Sequence, residues 1–453
     1  MDKQLVASVD IGTTKVVMAV AKKINSKIEI VALKETSSDG VIKGDVRNLD
    51  LASRAISTVK QQIEKELNTR IPEVSVGLSG QHISCTNKVR DISIGDGRGM
   101  SEITNNDLER LSRDTLNLSN TRERHVISIL PQSYKIDSEE GILNPVGMEG
   151  GRLEGSFSVI EGEAVAIDRV RRCFERSDLK INKILLQPLA SADAVLTDDE
   201  KELGVAVVDI GGGTTDLCIY SDKIIRYVSV LAIGGTNINA DIKSIGILER
   251  QVEKLKTKFG EAVASETNND LIGLPSVNHQ QQREIAKRDL SQIIESRMLD
   301  IVEWVKEQIE TTMHDRQLSA GIVLTGGGAN LKNIELLFKR ELNCPVRVAR
   351  PDVHLAESNI EAYSDPKYST IVGMLWEELK DCKEVSSSRI HSTADANGNR
   401  QRQSHTNEYV EPAEDSNDGG YDENYSEGDF TERPKEGWFR RLINKMTSES
   451  EEI

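Results

Sequence analysis

Up to residue 380 the chain alternates short unbroken apolar blocks with longer stretches in which apolar residues recur every three or four positions. Leu5–Val9 and Val16–Val20 have the composition of strands and flank the turn Asp10-Ile11-Gly12-Thr13-Thr14-Lys15. Between Asp50 and Leu67, residues Leu51, Ile56, Val59 and Ile63 fall near a period of 3.6, which predicts a helix. Val74–Leu78 predicts a further strand. A second block of the same kind starts near Gly204. Val205–Val208 runs into Asp209-Ile210-Gly211-Gly212-Gly213-Thr214-Thr215-Asp216, and Leu217–Tyr220 reads as the return strand. Asp-Ile-Gly followed by a threonine pair therefore occurs twice in a strand–turn–strand setting, which implies two lobes of common design. A third apolar run, Ile322–Leu324, leads through Thr325 into Gly326-Gly327-Gly328-Ala329, with a helix expected over Leu331–Leu342.

The pattern breaks at Lys383. From there to Glu432 apolar residues nearly vanish, and four basic residues stand against twelve acidic ones, a net of −8. Such a segment cannot bury enough surface to offset its ordering entropy, so a disordered linker is expected over 383–432, spanning roughly 40 Å as a coil. Periodicity returns after it. On a helix starting at Gly437, Trp438, Phe439, Leu442, Ile443 and Met446 share one face. Arg440, Arg441 and Lys445 take the flank and far side, and Arg433–Met446 carries a net charge of +4. This is the pattern of an interfacial helix on an anionic lipid surface. An apolar stripe can instead pack on the protein's own core or in a partner's groove. The acidic linker argues against the first, and the basic flanks favour lipid over the second.

Composition narrows the class. The 453 residues suffice for two lobes with their own cores, and with 4% aromatic residues those cores must be aliphatic. A formal net charge of −17 disfavours nucleic acid as a partner. Cys85, Cys173, Cys218, Cys344 and Cys382 are scattered and form no Cys-x-x-Cys pair, which argues for a reducing compartment over a disulfide or zinc framework. No stretch reaches the ~18 apolar residues of a membrane span, and the first residues lack the pattern of a secretory signal, so neither secretion nor spanning is expected.

The turns carry the chemistry. Glycine removes the Cβ, and free N–H groups with threonine hydroxyls donate to phosphate oxygens. Two such turns, one per lobe, would clamp a polyphosphate between them. Asp10 and Asp209, at strand ends, would hold Mg²⁺ through waters, and Lys15 would bring a positive charge to the phosphates. The turn at Gly326–Gly328, followed by a helix, would place bare backbone and a helix N-terminus beside the ligand. Singly, each turn is more often an ordinary hairpin. Three at strand ends, with acids at two of them, point jointly to a nucleotide.

These residues resemble the superfamily of actin, sugar kinases and DnaK-type chaperones. Asp10–Lys15 resembles its first phosphate motif, Asp209–Asp216 its second, and Leu324–Ala329 its adenosine motif. Gln187-Pro188-Leu189-Ala190-Ser191 and Tyr368–Gly373 look like its two connecting helices, and Glu253 and Lys256 like its ribose and base contacts. Without the resemblance, that pair reads as an i,i+3 ion pair on a solvated helix face. The resemblance implies ATP as ligand, with Gln187 positioning water and Asp209 assisting as base if ATP is hydrolysed.

Within the superfamily, Gly40–Val46, Val74–Ile83 and Leu130–Asp137, continuing through Gly141–Met148 to Gly151–Leu153, resemble the FtsA family of bacterial cell-division proteins. The resemblance implies an α/β, actin-like fold of two ribonuclease-H-like lobes, each with an inserted subdomain. The first lobe would comprise 1–83 and 161–200, with 351–381 returning to it, and the second 201–235 and 316–350. Residues 84–160 would form a family-specific insertion and 236–315 a cap that binds the C-terminal tail of FtsZ. A helix is expected over Arg283–Thr312, with Arg297 as a candidate partner contact or, equally, a surface ion pair. Pro275–His279 lacks the glycines often found there in the family. His82 reads as a turn histidine.

The implied function is an ATP-binding, self-associating adaptor with at most weak ATPase activity. It would sit peripherally at the division site, on the cytoplasmic side of the inner membrane, and recruit later division proteins. The helix over 433–447 would be the membrane anchor. Its five apolar side chains contribute roughly 1 kcal/mol each and its cations about as much. Folding takes several kcal/mol back, so one tail binds marginally and an oligomer far better. A chaperone ATPase would need a β-rich substrate domain after residue 380, where a polar linker stands, and a small-molecule kinase a discrete substrate pocket.

Overall fold

The computed structural model describes residues 5–95, 99–274, 283–313 and 317–380. The expected linker (383–432) and amphipathic helix (433–447) lie outside the described residues, as do Pro275–His279 and Cys382.

Strands β1 (Val6–Ile11), β2 (Lys15–Ile24) and β3 (Lys27–Ser37) are antiparallel neighbours. Helix α1 (Leu49–Leu67) starts at Asn48, whose side chain accepts from the N–H groups of Asp50 and Leu51. It stops at Asn68, whose left-handed backbone (φ 47°) ends the ladder. Ile56, Val59 and Ile63 are its buried stripe. Strand β4 (Glu73–Leu78) lies parallel to β1.

The chain then leaves the sheet. β5 (Ile83–Ser93), α2 (Asn105–Ser119), β6 (Arg124–Ile136), β7 (Glu139–Ile142) and β8 (Arg152–Glu163) form an inserted unit with the antiparallel strand order β7-β6-β8-β5. Leu111, Leu153 and Phe157 anchor its own small core. Helix α3 (Ala164–Arg176) leads back to β9 (Lys180–Leu186), which completes the first sheet in the order β9-β4-β1-β2-β3. Helix α4 (Gln187–Val195) crosses to the second lobe.

There β10 (Val205–Ile210), β11 (Thr215–Ser221) and β12 (Ile224–Leu231) repeat the antiparallel start. An insertion follows: α5 (Gly235–Ser244), α6 (Glu249–Phe259), the paired strands β13 (Leu271–Leu274) and β14 (Arg283–Ala286), and the long α7 (Lys287–Thr312). Then come β15 (Gly321–Thr325), α8 (Ile334–Leu342), β16 (Val346–Val348) and α9 (Ser369–Leu379). The second sheet runs β12-β11-β10-β15-β16, so each sheet has three antiparallel strands followed by two parallel ones. The repeated sequence turn thus marks a repeated topology. All residues of β10 and β15 are buried, as an apolar run covered on both faces requires.

Two helices differ from the sequence expectation. Residues 283–286 pair as β14 with β13, so the helix expected from Arg283 begins at Lys287. Likewise Gly327–Asn330 is one 3₁₀ turn and Asn333 takes φ 63°, so the helix expected from Leu331 begins at Ile334. Helices α4 and α9 cross where a Cβ on Gly373 would strike the Ala190 carbonyl, and only glycine permits that approach. Among the described residues no helix is long and apolar enough to cross a membrane.

Candidate nucleotide-binding cleft

The two Asp-Ile-Gly turns face each other across the lobes. In the first, the Gly12 N–H donates to the Lys15 carbonyl at 2.9 Å; in the second, the Gly211 N–H donates to the Thr214 carbonyl at 2.8 Å. A Cβ on Gly212 would collide with Thr14 and one on Gly213 with Thr13, so the glycines let the turns meet. The third turn joins them at Gly326 (φ +82°), where a Cβ would strike the Asp209 carboxylate and lie 2.7 Å from the Ile210 carbonyl. A small cavity of about 100 Å³ lies among the three turns, bordered also by Gln187 and Lys367.

Three buried carboxylates line it: Asp10 in β1, Asp209 in β10 and Asp216 paired opposite Asp209 in β11. Burial pushes the Asp10 carboxyl up to about 6, against the opposing charge of Lys15 and with a contribution from Asp209. Asp209 is also raised by burial, opposed by hydroxyl donors from Ser191 (2.5 Å) and Thr370 (3.3 Å). Asp216 is held well above the usual carboxylate range, by burial and then by Asp209, although Ser79 donates to it at 2.8 Å. Oxygen-only donors whose ionised forms are disfavoured fit a hard cation such as Mg²⁺, which would restore their charge.

Gln187, at the start of α4, donates to Asp10 through Nε2 at 2.7 Å. Lys15 reaches the same cavity, but its ammonium donates to the Lys367 carbonyl at 3.0 Å, lies 3.7 Å from Glu35 and stands over the Tyr368 ring. Thr13, Thr14 and Thr214 border the cavity. Thr215 does not: it is fully buried and its hydroxyl donates to the Ile233 carbonyl at 2.9 Å. Successive side chains of a strand point to opposite faces, so the threonine pair splits and Asp216 replaces its second member in the cleft.

Beyond Gly327 and Gly328 the cleft opens into a cavity of about 930 Å³, lined among others by Glu253, Lys256, Met298 and Leu331. Lys256 donates to Glu253 at 2.8 Å and to the Gly235 carbonyl at 3.2 Å. The i,i+3 ion pair on α6 and a face toward this cavity therefore occur together. Arg297 is elsewhere. It donates to Asp241 on α5 at 2.8 and 3.1 Å and to Asp300 at 2.8 Å. The hydrogen bond to Asp241 leads in raising its pKa. His82 is buried, and desolvation holds its imidazole below the usual range. Trp438, Phe439, Arg440, Arg441, Leu442, Ile443, Lys445 and Met446 lie outside the described residues.

Asp216, Ser79, Ser191 and Thr370 are the cleft residues that sequence reasoning did not single out. Asp216 had a signal, since strand alternation puts it on the opposite face of β11 from Thr215. The three hydroxyls had none, because each reaches its acid only through the fold.

A family model described as "Cell division protein FtsA" matches residues 206–373, and one described as "SHS2 domain inserted in FTSA" matches residues 80–161. The cell division protein FtsA of Neisseria meningitidis is 34% identical over 377 residues, covering 82% of this chain and 90% of the relative. That of Escherichia coli is 32% identical over 385 residues, covering 83% and 90%. Among solved structures, a PilM-PilN type IV pilus biogenesis complex aligns with a TM-score of 0.59 at 15% identity, over 82% of this chain and 98% of that one. At that identity the likeness concerns the fold alone, which is the actin-like one.

Proposed function

The chain belongs to the FtsA family of cell-division proteins, and from that premise we propose that it is an ATP-binding, self-assembling adaptor that tethers FtsZ to the membrane. One observation carries the nucleotide reading. Three glycine turns from both lobes converge on Asp10, Asp209 and Asp216, beside a cavity that widens between Glu253, Lys256 and Gly328. In this reading the turn amides and Thr13, Thr14 and Thr214 hold the phosphates, while Glu253 and Lys256 hold the ribose and base. Asp10 and Asp209 hold Mg²⁺ through waters, and the bound cation neutralises phosphate charge. Gln187, hydrogen-bonded to Asp10, would orient a water with Asp209 as the accompanying base, and ATP hydrolysis would be at most weak beside the adaptor role.

We assign 1–83, 161–200 and 351–381 to the first lobe and 84–160 to the inserted subdomain. We assign 201–235 and 316–350 to the second lobe, and 236–315 to a cap that takes the FtsZ tail. Arg297, engaged by Asp241, shapes that cap from within. The basic amphipathic stretch 433–447 supports peripheral attachment to anionic lipid at the cytoplasmic face, at the end of the acidic linker. One such tail binds marginally, and assembly multiplies its effect through effective concentration. The proposed sequence of events is nucleotide binding, self-assembly, membrane attachment and then recruitment of later division proteins. Deleting residues 433–453 tests the tether. A fluorescently tagged variant is expected to become diffuse in dividing cells, and unchanged membrane localisation would refute it.

A further inference from the structure

The inserted subdomain touches both lobes, at two very different attachments. Its root is on the first lobe, where the chain enters at β5 and returns through β8. Arg124 clamps that root. Its guanidinium donates to the His82 carbonyl (3.2 Å), the Ser84 hydroxyl (2.5 Å) and the Glu161 carbonyl (3.2 Å), and it pairs with the Glu161 carboxylate at 3.4 Å. The root also lies against the phosphate turns. Ser79 donates to Asp216, and the Gly44 N–H donates to the Thr13 hydroxyl at 3.2 Å. A Cβ on Gly44 would lie 2.6 Å from the Ser79 carbonyl, so this backbone leaves no slack between the first turn and the root.

The second attachment is to β12 of the second lobe. Gln132 Nε2 donates to the Ile225 carbonyl at 2.7 Å, and Arg226 donates to the Gln132 carbonyl at 3.3 Å. Beneath it lies a cavity of about 370 Å³, lined by Cys85, Asn87, Ser158, Arg226, Thr312 and Met313. Val228 and Ile225 of β12 also share an apolar cluster with Cys85, Ile127 and Leu130, so this attachment is non-covalent packing and hydrogen bonds beside a void, against two covalent connections and a guanidinium clamp at the root. Relative movement of the lobes is therefore taken up at Gln132.

Thr13 and Thr14 lie in the space that side chains on Gly213 and Gly212 would occupy, and the cavity among the turns holds only about 100 Å³; a polyphosphate seated there would press the lobes to turn about the α4–α9 crossing. We infer that the inserted subdomain is a brace across the nucleotide hinge, and that its Gln132 attachment to β12 is energetically coupled to occupancy of the cleft. This rests on the nucleotide reading above. Coupling between binding sites is reciprocal, so weakening the brace also shifts nucleotide affinity.

Cys85 is a native reporter. It lines the cavity under the attachment, is half-buried, and burial raises its thiol pKa, which makes its labelling sensitive to opening. The full-length chain is treated with N-ethylmaleimide, with and without saturating ATP–Mg²⁺, and Cys85 modification is followed by mass spectrometry. ATP affinity is measured in parallel on the wild type and on Gln132→Ala. The expected result is a change in the Cys85 rate of about fivefold or more on adding ATP, and a comparable shift in ATP affinity in Gln132→Ala. An unchanged Cys85 rate in wild-type protein shown to be saturated with ATP overturns the brace without touching the nucleotide reading. Failure of the wild type to bind ATP overturns both. The labelling arm needs no variant, so a Gln132→Ala chain that does not fold leaves it decisive.

Discussion

Asp10 concentrates the tension in the cleft. Its carboxyl is pushed up to about 6 from 3.8 by burial. Between those values the folded chain keeps a proton that the unfolded chain has released. Stability from this group therefore falls as pH rises from about 4 to about 6, and the loss is complete above that window. Two units correspond to about 3 kcal/mol. Asp10→Asn is expected to stabilise the nucleotide-free chain by up to about that amount at pH 7 and by little at pH 4, measured by urea unfolding at both. Equal stabilisation at the two values would reject the assignment. Legibility at this scale divides by chemistry. That Asp10, Asp209 and the glycines meet in one cleft was readable because the same strand-end acid and glycine turn occurs in both lobes. Thr215 misled because a doublet read as a unit is split by the strand's alternation, and Ser79, Ser191 and Thr370 acquire their roles only from the fold.

Among the elements, the crossing of α4 and α9 determines how the lobes meet. Gly373→Ala places a methyl against the Ala190 carbonyl, which the helices relieve only by moving apart. Overpacking of this kind costs about 1–3 kcal/mol, and here it also disturbs Ser191 and Thr370, which hold Asp209 from the same two helices. A lowered urea midpoint together with weaker ATP binding is the expected outcome; unchanged values for both would mean that the crossing tolerates a Cβ. The elements themselves were legible where period and length agreed, as in α1 and β10. Residues 283–286 were read into a helix because four residues give no period of their own, and their strand character comes from pairing with Leu271–Leu274. The delayed start of α8 has a similar origin. Glu261 accepts from Lys332 (2.9 Å) and Asn333 (2.8 Å), tying the segment to the end of α6 in a way no local pattern announces.

For the molecule as a whole, the repeated Asp-Ile-Gly turn announced two lobes of one design, and both sheets carry the same strand order. What the repeat could not convey is the bridging of the lobes by the inserted subdomain, since Gln132 meets Ile225 across 93 positions of sequence. In the proposed reading the two lobes hold a magnesium nucleotide between their paired turns and buried acids. The decisive experiment is equilibrium titration of the purified chain with ATP, with and without Mg²⁺, repeated on Asp209→Asn, which keeps the shape of the side chain. Saturable binding that Mg²⁺ tightens by about tenfold or more is expected in the wild type, with loss of that dependence in the variant. Binding that ignores both Mg²⁺ and the substitution, or no binding at all, would contradict that reading.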